Sequence, residues 1–368
     1  MKILLLGDAS NYHPTLAIAL KDLGHEVTVA SDGSGWINTP RDIDLSRRDN
    51  KLGGALLYMK LLAGTEKKLR GFDIVQFYNP LFLPLRPERH YRFLDSIKKH
   101  NGRLFLTALA TDPFYVQNLT GPQPALSYSE WHTPKGPSAW SKTTEARKDD
   151  WLAKEIFDYT KYFYQNIEGA VSALFEYHKV FQATHPHLPL AYAGIPILTQ
   201  GIQQKIRKDN DKLTILAAAP KKRAGEKGAK TLYDLAAKIE ANFPNTKLIS
   251  PPNMPYSNFV DLLGKIDIDI DQLYSFTPAT TALLSMARGA ITVSGAEEEF
   301  YNFIGEKTLR PIINANPFDI DHTYKQLARV VSDAEYRREL SRQSIEFVAR
   351  HNEAHIVARR FINFWDSL

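Results

Sequence analysis

Short apolar runs alternate with helical spacings of apolar residues along most of the chain. Residues 2–6 (Lys-Ile-Leu-Leu-Leu) form the first run, and Gly7-Asp8 ends it. A helical pattern follows up to Leu23, and the β-branched run at 27–30 comes after it. Because apolar runs predict buried strands and a spacing of three to four predicts helices, this opening is a βαβ unit, which is typical of a parallel sheet.

The same alternation continues and then restarts after a polar stretch at 200–212, where we place a domain linker. Before this linker, strands are predicted at 74–77, 104–107, 170–173 and 190–193, and helices at 85–99 and 150–165. After it, strands are predicted at 213–217, 247–249, 266–270 and 291–293, and helices at 227–241, 256–263 and 278–288, with 319–366 almost wholly helical.

This pattern predicts an α/β protein with two doubly wound, Rossmann-like domains that face a cleft. The predicted bounds are 1–196 for the first domain, 197–350 for the second, and 351–368 for a terminal helix that packs on the first. The segment 121–142 has no period and is predicted to be a long surface loop. Its three large aromatic residues either line a site or pin the loop down, and we favour pinning; they are Tyr128, Trp131 and Trp140.

Composition and charge narrow the function classes. The chain has 368 residues, of which 43% are hydrophobic, and its 46 Lys and Arg nearly balance its 41 Asp and Glu. This is the composition of a folded protein that does not call for nucleic acid. The absence of Cys excludes disulfides and thiolate zinc sites, and zinc chemistry is not predicted.

Membrane insertion and secretion are not expected. The apolar run at the N-terminus is too short for a signal peptide, and no stretch reaches 18 uninterrupted apolar residues. We expect a cytoplasmic protein, with peripheral contact at the inner face of a membrane left open.

Two strand-end segments of the second domain are candidates for binding phosphate. In the first, Thr277 is a good N-cap and Pro278 suits the first helical position, so the amides near Thr280 and Thr281 could hold an anion. An ordinary capped helix explains this segment as well. The second segment is basic and lies between a strand and a helix; its candidate residues are Lys222, Arg223, Lys227 and Gly228. Arg and Lys suit a diphosphate, and a solvated charged loop is the alternative.

Neither a dinucleotide nor a metal is favoured. No strand is followed by G-x-G-x-x-G, so NAD and FAD are not predicted. Asp267, Asp269 and Asp271 have the D-x-D spacing of a divalent metal site. The period of two puts all three on one face of a strand, however, and only Asp271 should reach the cleft. We predict no metal and no cofactor.

Three loops of the first domain are predicted to share one rim, because each follows a strand. They contribute Asn11 and His13, then Tyr78, then Asp112 and Tyr115. Asp112 or His13 could accept a proton from an acceptor hydroxyl, while Asn11, Tyr78 and Tyr115 are candidate acceptor contacts. Each of them is also typical of a cap or turn.

The order of these parts resembles a glycosyltransferase of the GT-B fold, and more narrowly the retaining glycosyltransferase family 4 (group 1). The matching segments are 2–7, 24–27, 195–197, the basic residues 222, 223 and 227 with Gly228, Asp271-Gln272, and 282–289. The family carries two Glu residues eight positions apart around the last segment. Phe276 and Leu284 stand at those positions here.

The resemblance implies transfer of a sugar from a nucleotide diphosphate sugar to a hydroxyl of a glycan or lipid-linked acceptor, without a metal, in surface polysaccharide or glycan synthesis. It implies an acceptor-side first domain and a donor-side second domain, in which the basic residues and Thr277 to Thr281 hold the diphosphate. Since both family glutamates are replaced, Glu297, Glu298 or Asp271 could contact the donor sugar or ribose instead.

Two other functions stay open. A catalytically impaired GT-B protein could bind a nucleotide sugar or glycan in a regulatory or scaffolding role, which the loss of both glutamates favours. A sugar-nucleotide epimerase shares the GT-B plan, but it needs His and carboxylates at the strand ends of the second domain, and the sequence shows no such constellation.

Overall fold

A computed structural model of the chain describes residues 1–202, 212–218, 225, 227–251 and 254–368. The chain divides into two compact units. The first unit comprises Met1–Leu126, Thr144–Pro196 and Ala354–Leu368, and the second comprises Ser127–Thr143 and Ile197–Glu353. The main boundary after Pro196 coincides with the predicted one, whereas the assignment of 127–143 to the second unit was not predicted.

The strands are, in chain order, β1 (Lys2–Leu6), β2 (Glu26–Ser31), β3 (Ile43–Asp44), β4 (Ile74–Phe77), β5 (Arg103–Ala108), β6 (His132–Thr133), β7 (Gly136–Pro137), β8 (Gly169–Ser172), β9 (Leu190–Tyr192), β10 (Leu213–Ala217), β11 (Thr246–Ile249), β12 (Ile268–Ile270), β13 (Ile291–Ser294) and β14 (Ile313–Asn314).

The α-helices are α1 (Tyr12–Asp22), α2 (Gly53–Leu62), α3 (His90–His100), α4 (Pro113–Thr120), α5 (Ala139–Thr143), α6 (Glu145–Leu152), α7 (Lys154–Tyr164), α8 (Phe175–Thr184), α9 (Ala229–Asn242), α10 (Tyr256–Leu263), α11 (Thr280–Met286), α12 (Glu298–Phe303), α13 (Ile320–Ser332), α14 (Ala334–His351) and α15 (Ala354–Asp366). Short 3₁₀ helices lie at Gly35–Ile37, Thr65–Leu69 and Pro87–Arg89.

The first unit is built on a parallel sheet of seven strands in the order β3-β2-β1-β4-β5-β8-β9. Strand β1 lies inside this sheet, between β2 and β4, and it is apolar because it is covered on both faces: Ile3, Leu4, Leu5 and Leu6 are all fully buried. Helix α15 packs against α1, so the end of the chain returns to this unit as the fold class predicted.

A buried chain of hydrogen bonds ties this returning helix to the sheet. Trp365 Nε1 donates to Gln76 Oε1 at 3.0 Å, and Gln76 Nε2 donates to Thr107 Oγ1 at 3.0 Å. His13 Nδ1 lies 2.6 Å from the carbonyl of Gly7, which can only accept, so His13 Nε2 accepts from the Thr107 hydroxyl at 3.2 Å. All four side chains are fully buried. Each polar atom of this network therefore depends on the neighbouring side chain for its hydrogen bond.

The second unit contains a smaller parallel sheet of five strands in the order β11-β10-β12-β13-β14. Its core brings together apolar residues of β10, β12 and β13 with α9, α13 and α14. Parallel strands flanked by helices confirm the predicted α/β class in both units.

The segment 127–143 is more structured than the long surface loop that its composition predicted, because it contains β6, β7 and α5. Tyr128, Trp131 and Trp140 are 4%, 3% and 8% exposed, and they pack within the second unit. The two Trp rings meet edge to face at 4.7 Å, and a Cβ on Gly225 would approach the Trp140 ring to 2.6 Å. Large aromatic area removed from water holds the segment in place, so the prediction that these rings pin the segment agrees with the structure, while residues between them, such as Lys135 and Pro137, stay exposed.

Among the described residues, no helix combines the length and the apolar character needed to cross a membrane.

We predict that Thr107→Val lowers the free energy of unfolding of the first unit by about 1–3 kcal/mol, because it leaves Gln76 Nε2 and His13 Nε2 buried without partners. Urea unfolding monitored by Trp fluorescence measures the change. Thr107→Ser keeps the hydroxyl and is the matched control. Equal losses for the Val and Ser variants would show that the hydroxyl contributes nothing.

Candidate functional site

The loops that follow β10, β12 and β13 are hydrogen-bonded to one another. Leu273 N donates to the carbonyl of Lys227 at 2.9 Å, and Glu297 N donates to that of Phe276 at 3.3 Å. We call the described residues Gly225, 227–228, 271–279 and 295–297 the second-unit loop cluster. Because carboxyl ends of parallel strands meet at one edge of a sheet, this is where a ligand of such a domain binds.

A buried ion pair lies inside the cluster. Lys227 Nζ is 2.8 Å from Asp271 Oδ1; the Lys side chain is 46% exposed and the Asp side chain only 4%. Asp271 Oδ2 is buried and accepts no hydrogen bond within the described part of the chain. A buried carboxylate requires a cation or donors, and Lys227 supplies the cation while nearly half of its side chain stays exposed at the surface of the cluster.

Gly228 permits this close approach. Its φ of 66° is in the left-handed region that Gly adopts readily, and it caps the N-terminus of the 14-residue helix α9. A Cβ at this position would lie 2.7 Å from Leu273. Any other residue would therefore push apart the loops that carry Lys227 and Asp271.

The other two carboxylates of the D-x-D-x-D segment point to partners within the unit. Asp267 Oδ2 accepts from Thr214 N at 2.7 Å, and Asp269 Oδ2 accepts from Ser285 Oγ at 2.8 Å. Burial and the nearby charge of Asp271 raise the pKa of Asp269. In the described ranges no three His, Cys, Asp or Glu side chains form a set that could hold a metal ion.

The helix after β12 begins later than predicted. Its N-cap is Ala279, and Thr280 and Thr281 are its first two residues, both half-buried. Thr277 is 1% exposed, and its carbonyl accepts hydrogen bonds from Gln272 Nε2 and Ser275 Oγ at 3.1 and 3.0 Å. These bonds hold residues 275–277 in a turn, so the prediction of Thr277 as the N-cap and Pro278 as the first helical residue was wrong.

Glu297 is the carboxylate that the cluster holds most firmly. Its Oε1 accepts from Tyr128 OH and from Asn314 Nδ2, both at 2.9 Å. The Tyr128 ring stacks on Phe276 at 4.6 Å, with 22° between the planes. Phe276 occupies the position where the resemblance places a family glutamate, so a carboxylate from the next loop lies beside the aromatic replacement.

Glu298 is a predicted donor contact that the structure places in an ion pair, whereas two of the predicted basic residues are not described. Glu298 forms an exposed bidentate ion pair with Arg310: Arg310 Nε donates to Glu298 Oε1 at 2.9 Å, and Nη2 donates to Oε2 at 3.1 Å. Both carboxylate oxygens of Glu298 are therefore engaged by Arg310. Lys222 and Arg223 lie outside the described residues, and their predicted role in binding diphosphate stays a prediction.

The first unit has its own pocket at the ends of β4 and β5. Its free volume is about 20 Å³, which is room for about one water molecule, and its wall includes Tyr78, Asn79, Asp112, Tyr115 and Tyr164. The structure thus brings together one candidate catalytic residue, Asp112, and two candidate acceptor contacts, Tyr78 and Tyr115.

Asp112 is a buried acid at the start of α4. Its Oδ1 accepts from Tyr115 N at 2.8 Å as an N-cap, and Tyr164 OH donates to its Oδ2. Burial raises the pKa of Asp112. A carboxylate that is harder to ionise is a stronger base once ionised, which suits proton transfer.

His13 and Asn11 are placed differently from Asp112. His13 is fully buried, burial lowers its pKa to about 4, and both of its ring nitrogens are engaged by Gly7 and Thr107. This geometry gives His13 a structural role. Asn11 has a φ of 63° before α1, and its Oδ1 is buried without a hydrogen-bond partner in the described ranges.

Three contributors to the site were missed by sequence reasoning. Tyr164 and Asn314 have no local motif, because each reaches its carboxylate from a distant part of the chain. Asp8 was noted only as the end of β1. It is 4% exposed and accepts from His13 N and Thr39 Oγ1, both at 3.0 Å, and burial raises its pKa to about 6.

Comparison with known proteins identifies the fold. Sucrose-phosphate synthase from Thermosynechococcus elongatus superposes with a TM-score of 0.62 at 11% identity, covering 100% of this chain and 99% of that one. Anabaena HepE in complex with UDP and glucose has a TM-score of 0.58 at 10% identity and full coverage of both chains. A putative UDP-N-acetylglucosamine 2-epimerase from Listeria monocytogenes has a TM-score of 0.53 at 12% identity, covering 98% and 94%.

No protein-family model matches the sequence, and no curated protein matches it. At these identities the likeness is one of fold. The chain has the GT-B fold, with two Rossmann-like domains, as the resemblance implied.

We predict that Asp8→Asn flattens the pH dependence of stability between about pH 4 and pH 6. The pKa of Asp8 rises from 3.8 to about 6 on folding, so the folded state binds this proton more tightly. Stability therefore falls as pH rises through this window, by at most about 3 kcal/mol, and stays lower above it. Urea unfolding at a series of pH values measures the slope, and an unchanged slope in the Asn variant would contradict the assignment.

Proposed function

We propose that this protein is a glycosyltransferase that moves a sugar from a nucleoside diphosphate sugar to a hydroxyl acceptor. The observation that carries the proposal is the second-unit loop cluster, in which Lys227 presents a charge at the N-terminus of α9 above the buried Asp271. The fold relatives crystallised with UDP support the same ligand class.

The chemistry suits this arrangement. Breaking the bond between the sugar and the diphosphate leaves negative charge on the leaving diphosphate, and fixed cations with helix N-termini stabilise that charge. Lys227 supplies the described cation, and the amides of Thr280 and Thr281 at the start of α11 supply donors. Lys222 and Arg223 complete the basic loop in the proposal.

The first-unit pocket is the proposed acceptor site. Asp112 would take the proton of the attacking hydroxyl, and its bond from Tyr164 OH holds the carboxylate in place. Tyr78 and Tyr115 line the same pocket and are its proposed acceptor contacts.

Glu297 is proposed to contact the donor sugar or ribose. Phe276 and Leu284 cannot accept a hydroxyl hydrogen bond, whereas Glu297 is a carboxylate oriented by Tyr128 and Asn314. Asp271 is the second candidate, because its Oδ2 has no donor in the described structure. Glu298 is paired with Arg310, which weakens its candidacy.

The finer assignment follows the resemblance. We infer a hexosyl transferase of family 4 type that uses neither metal nor cofactor and acts in surface polysaccharide or glycan synthesis. Its acceptor would be a glycan or a lipid-linked sugar, and its place would be the cytoplasm, with contact at the inner membrane face.

A catalytically impaired GT-B protein is the second candidate, favoured by Phe276 and Leu284 at the positions of the family glutamates. An epimerase is less well supported, since the loops that follow the strands of the second unit contain no His. Binding of a donor without turnover would distinguish the impaired protein from the transferase.

Lys227→Ala is expected to weaken binding of UDP, or of whichever nucleoside diphosphate binds, by about 1–3 kcal/mol, because a charged hydrogen bond is lost. Isothermal titration calorimetry measures the affinity. Lys230→Ala is the matched control: Lys230 lies three residues further on, in the first turn of α9, is 78% exposed, and pairs only with Asp234 among the described residues. Unchanged affinity in Lys227→Ala would place the diphosphate elsewhere.

Asp112→Asn is expected to lower kcat about 10²-fold or more while the affinity for the donor stays unchanged, because a general base contributes to turnover and not to donor binding. Donor consumption with and without acceptor sugars separates the two quantities. Tyr164→Phe should show a smaller loss, since it removes only the bond that orients Asp112. Full activity of Asp112→Asn would remove the proposed base.

A further inference from the structure

Helix α2 of the first unit is apolar on both of its faces. Gly53, Leu57 and Leu61 form the buried face and pack toward the core. The opposite face consists of positions 52, 55, 56, 59, 60 and 63, all exposed. A helix that is apolar all round is normally covered on all sides.

The exposed face carries large side chains. Leu52, Leu56 and Met59 are 68%, 48% and 63% exposed. They are spaced four and three residues apart, so they form one stripe along the helix. Three large apolar side chains on one short surface helix form a patch, which marks an interaction site more often than scattered residues do.

Positive charge surrounds this stripe. Residues 47–70 contain seven Lys and Arg and two Asp and Glu, an excess of five that equals the net charge of the whole chain. Arg47 and Arg48 precede the helix, and Lys67 and Lys68 follow it. Neither Arg47 nor Arg48 has an ion-pair partner in the part of the chain that the structure describes.

Two glycines fix the basic residues against the helix. A Cβ on Gly53 would lie 1.9 Å from the carbonyl oxygen of Arg48, and one on Gly54 would lie 3.7 Å from the Arg47 guanidinium. The start of α2 thus packs directly on this Arg pair. An open hollow with an empty volume of about 870 Å³ runs along the same region; Arg47, Arg48, Leu56 and Lys60 are part of its wall.

The carboxylate in the wall of this hollow, Asp44, is neutralised by basic side chains. Asp44 is held by Arg41 at 2.7 Å, and Lys60 lies 3.8 Å from its other oxygen and donates to its carbonyl at 2.8 Å. The surface therefore stays basic around an apolar stripe.

We propose that this face of α2, with its flanking Arg and Lys, docks the protein on a membrane surface that bears anionic lipids. An apolar stripe that enters the boundary between headgroups and acyl chains, with cations at its edge, is how helices that lie on a membrane bind. A partner protein would have to bury the stripe while it neutralises five positive charges, whereas an anionic bilayer meets both requirements at once.

Co-sedimentation of the full chain with vesicles tests the proposal. Binding is expected to vesicles of phosphatidylcholine with phosphatidylglycerol, and to be much weaker to phosphatidylcholine alone. Leu56→Ser with Met59→Ser should reduce binding about tenfold or more, because apolar area no longer enters the interface. Arg47→Ala with Arg48→Ala should reduce it by a similar factor, at roughly fivefold per residue.

Ile18→Ser is the matched control, since Ile18 is 45% exposed on α1 of the same unit, close to the 48% of Leu56. Its binding should equal that of the parent chain, and circular dichroism should show every variant folded. Absence of binding by the parent chain, or binding at the parent level by both double variants, would overturn the proposal. The proposal would also be overturned if the parent chain did not bind vesicles but formed a dimer in analytical ultracentrifugation, and if Leu56→Ser with Met59→Ser abolished that dimer. Vesicle binding requires no donor, so its failure and that of the proposed function are separate results.

Discussion

Within each of the two large sheets all strands are parallel, and this constraint decides where a binding or catalytic site can lie. In each unit the loops at the carboxyl ends of the strands collect at one edge. In the second unit these loops are hydrogen-bonded together through Lys227 and Leu273. The buried carboxylate of Asp271 then requires a cation, and Lys227 is that cation. A lysine ammonium group held at the edge of the second sheet follows from these two requirements.

Two sets of buried polar groups in the chain differ in whether their hydrogen bonds are satisfied. In the first unit, the chain from Trp365 through Gln76 and Thr107 to His13 satisfies its members internally and attaches the terminal helix to the sheet. In the second unit, Asp271 Oδ2 has no donor among the described residues. A fully satisfied network stabilises a fold, whereas an unsatisfied buried acceptor is where a ligand can gain affinity.

Much of the fold could be predicted because its signals are local. The apolar runs at β1 and β10, and the helical period of α9, specify their own structure. Contacts between distant residues could not be predicted: the stacking of Tyr128 on Phe276 joins positions 148 residues apart, and it turns a predicted surface loop into part of the second unit. Helix α2 was not predicted, because a helix that is apolar on both faces shows no clear period. The predicted start of α11 was too early in the chain. The side chains of Gln272 and Ser275 both donate to the carbonyl of Thr277, so this carbonyl does not accept the first hydrogen bond of the helix.

The central claim is that a nucleoside diphosphate binds the second-unit loop cluster, and hydrogen–deuterium exchange of the full chain with and without UDP, GDP or ADP tests it most directly. The account predicts slower exchange with one of these nucleotides at the amides of 227–231 and 271–283, because a bound diphosphate accepts their hydrogen bonds and closes the loops. Protection confined to other segments, or no protection with any of the three at saturating concentration, would contradict it.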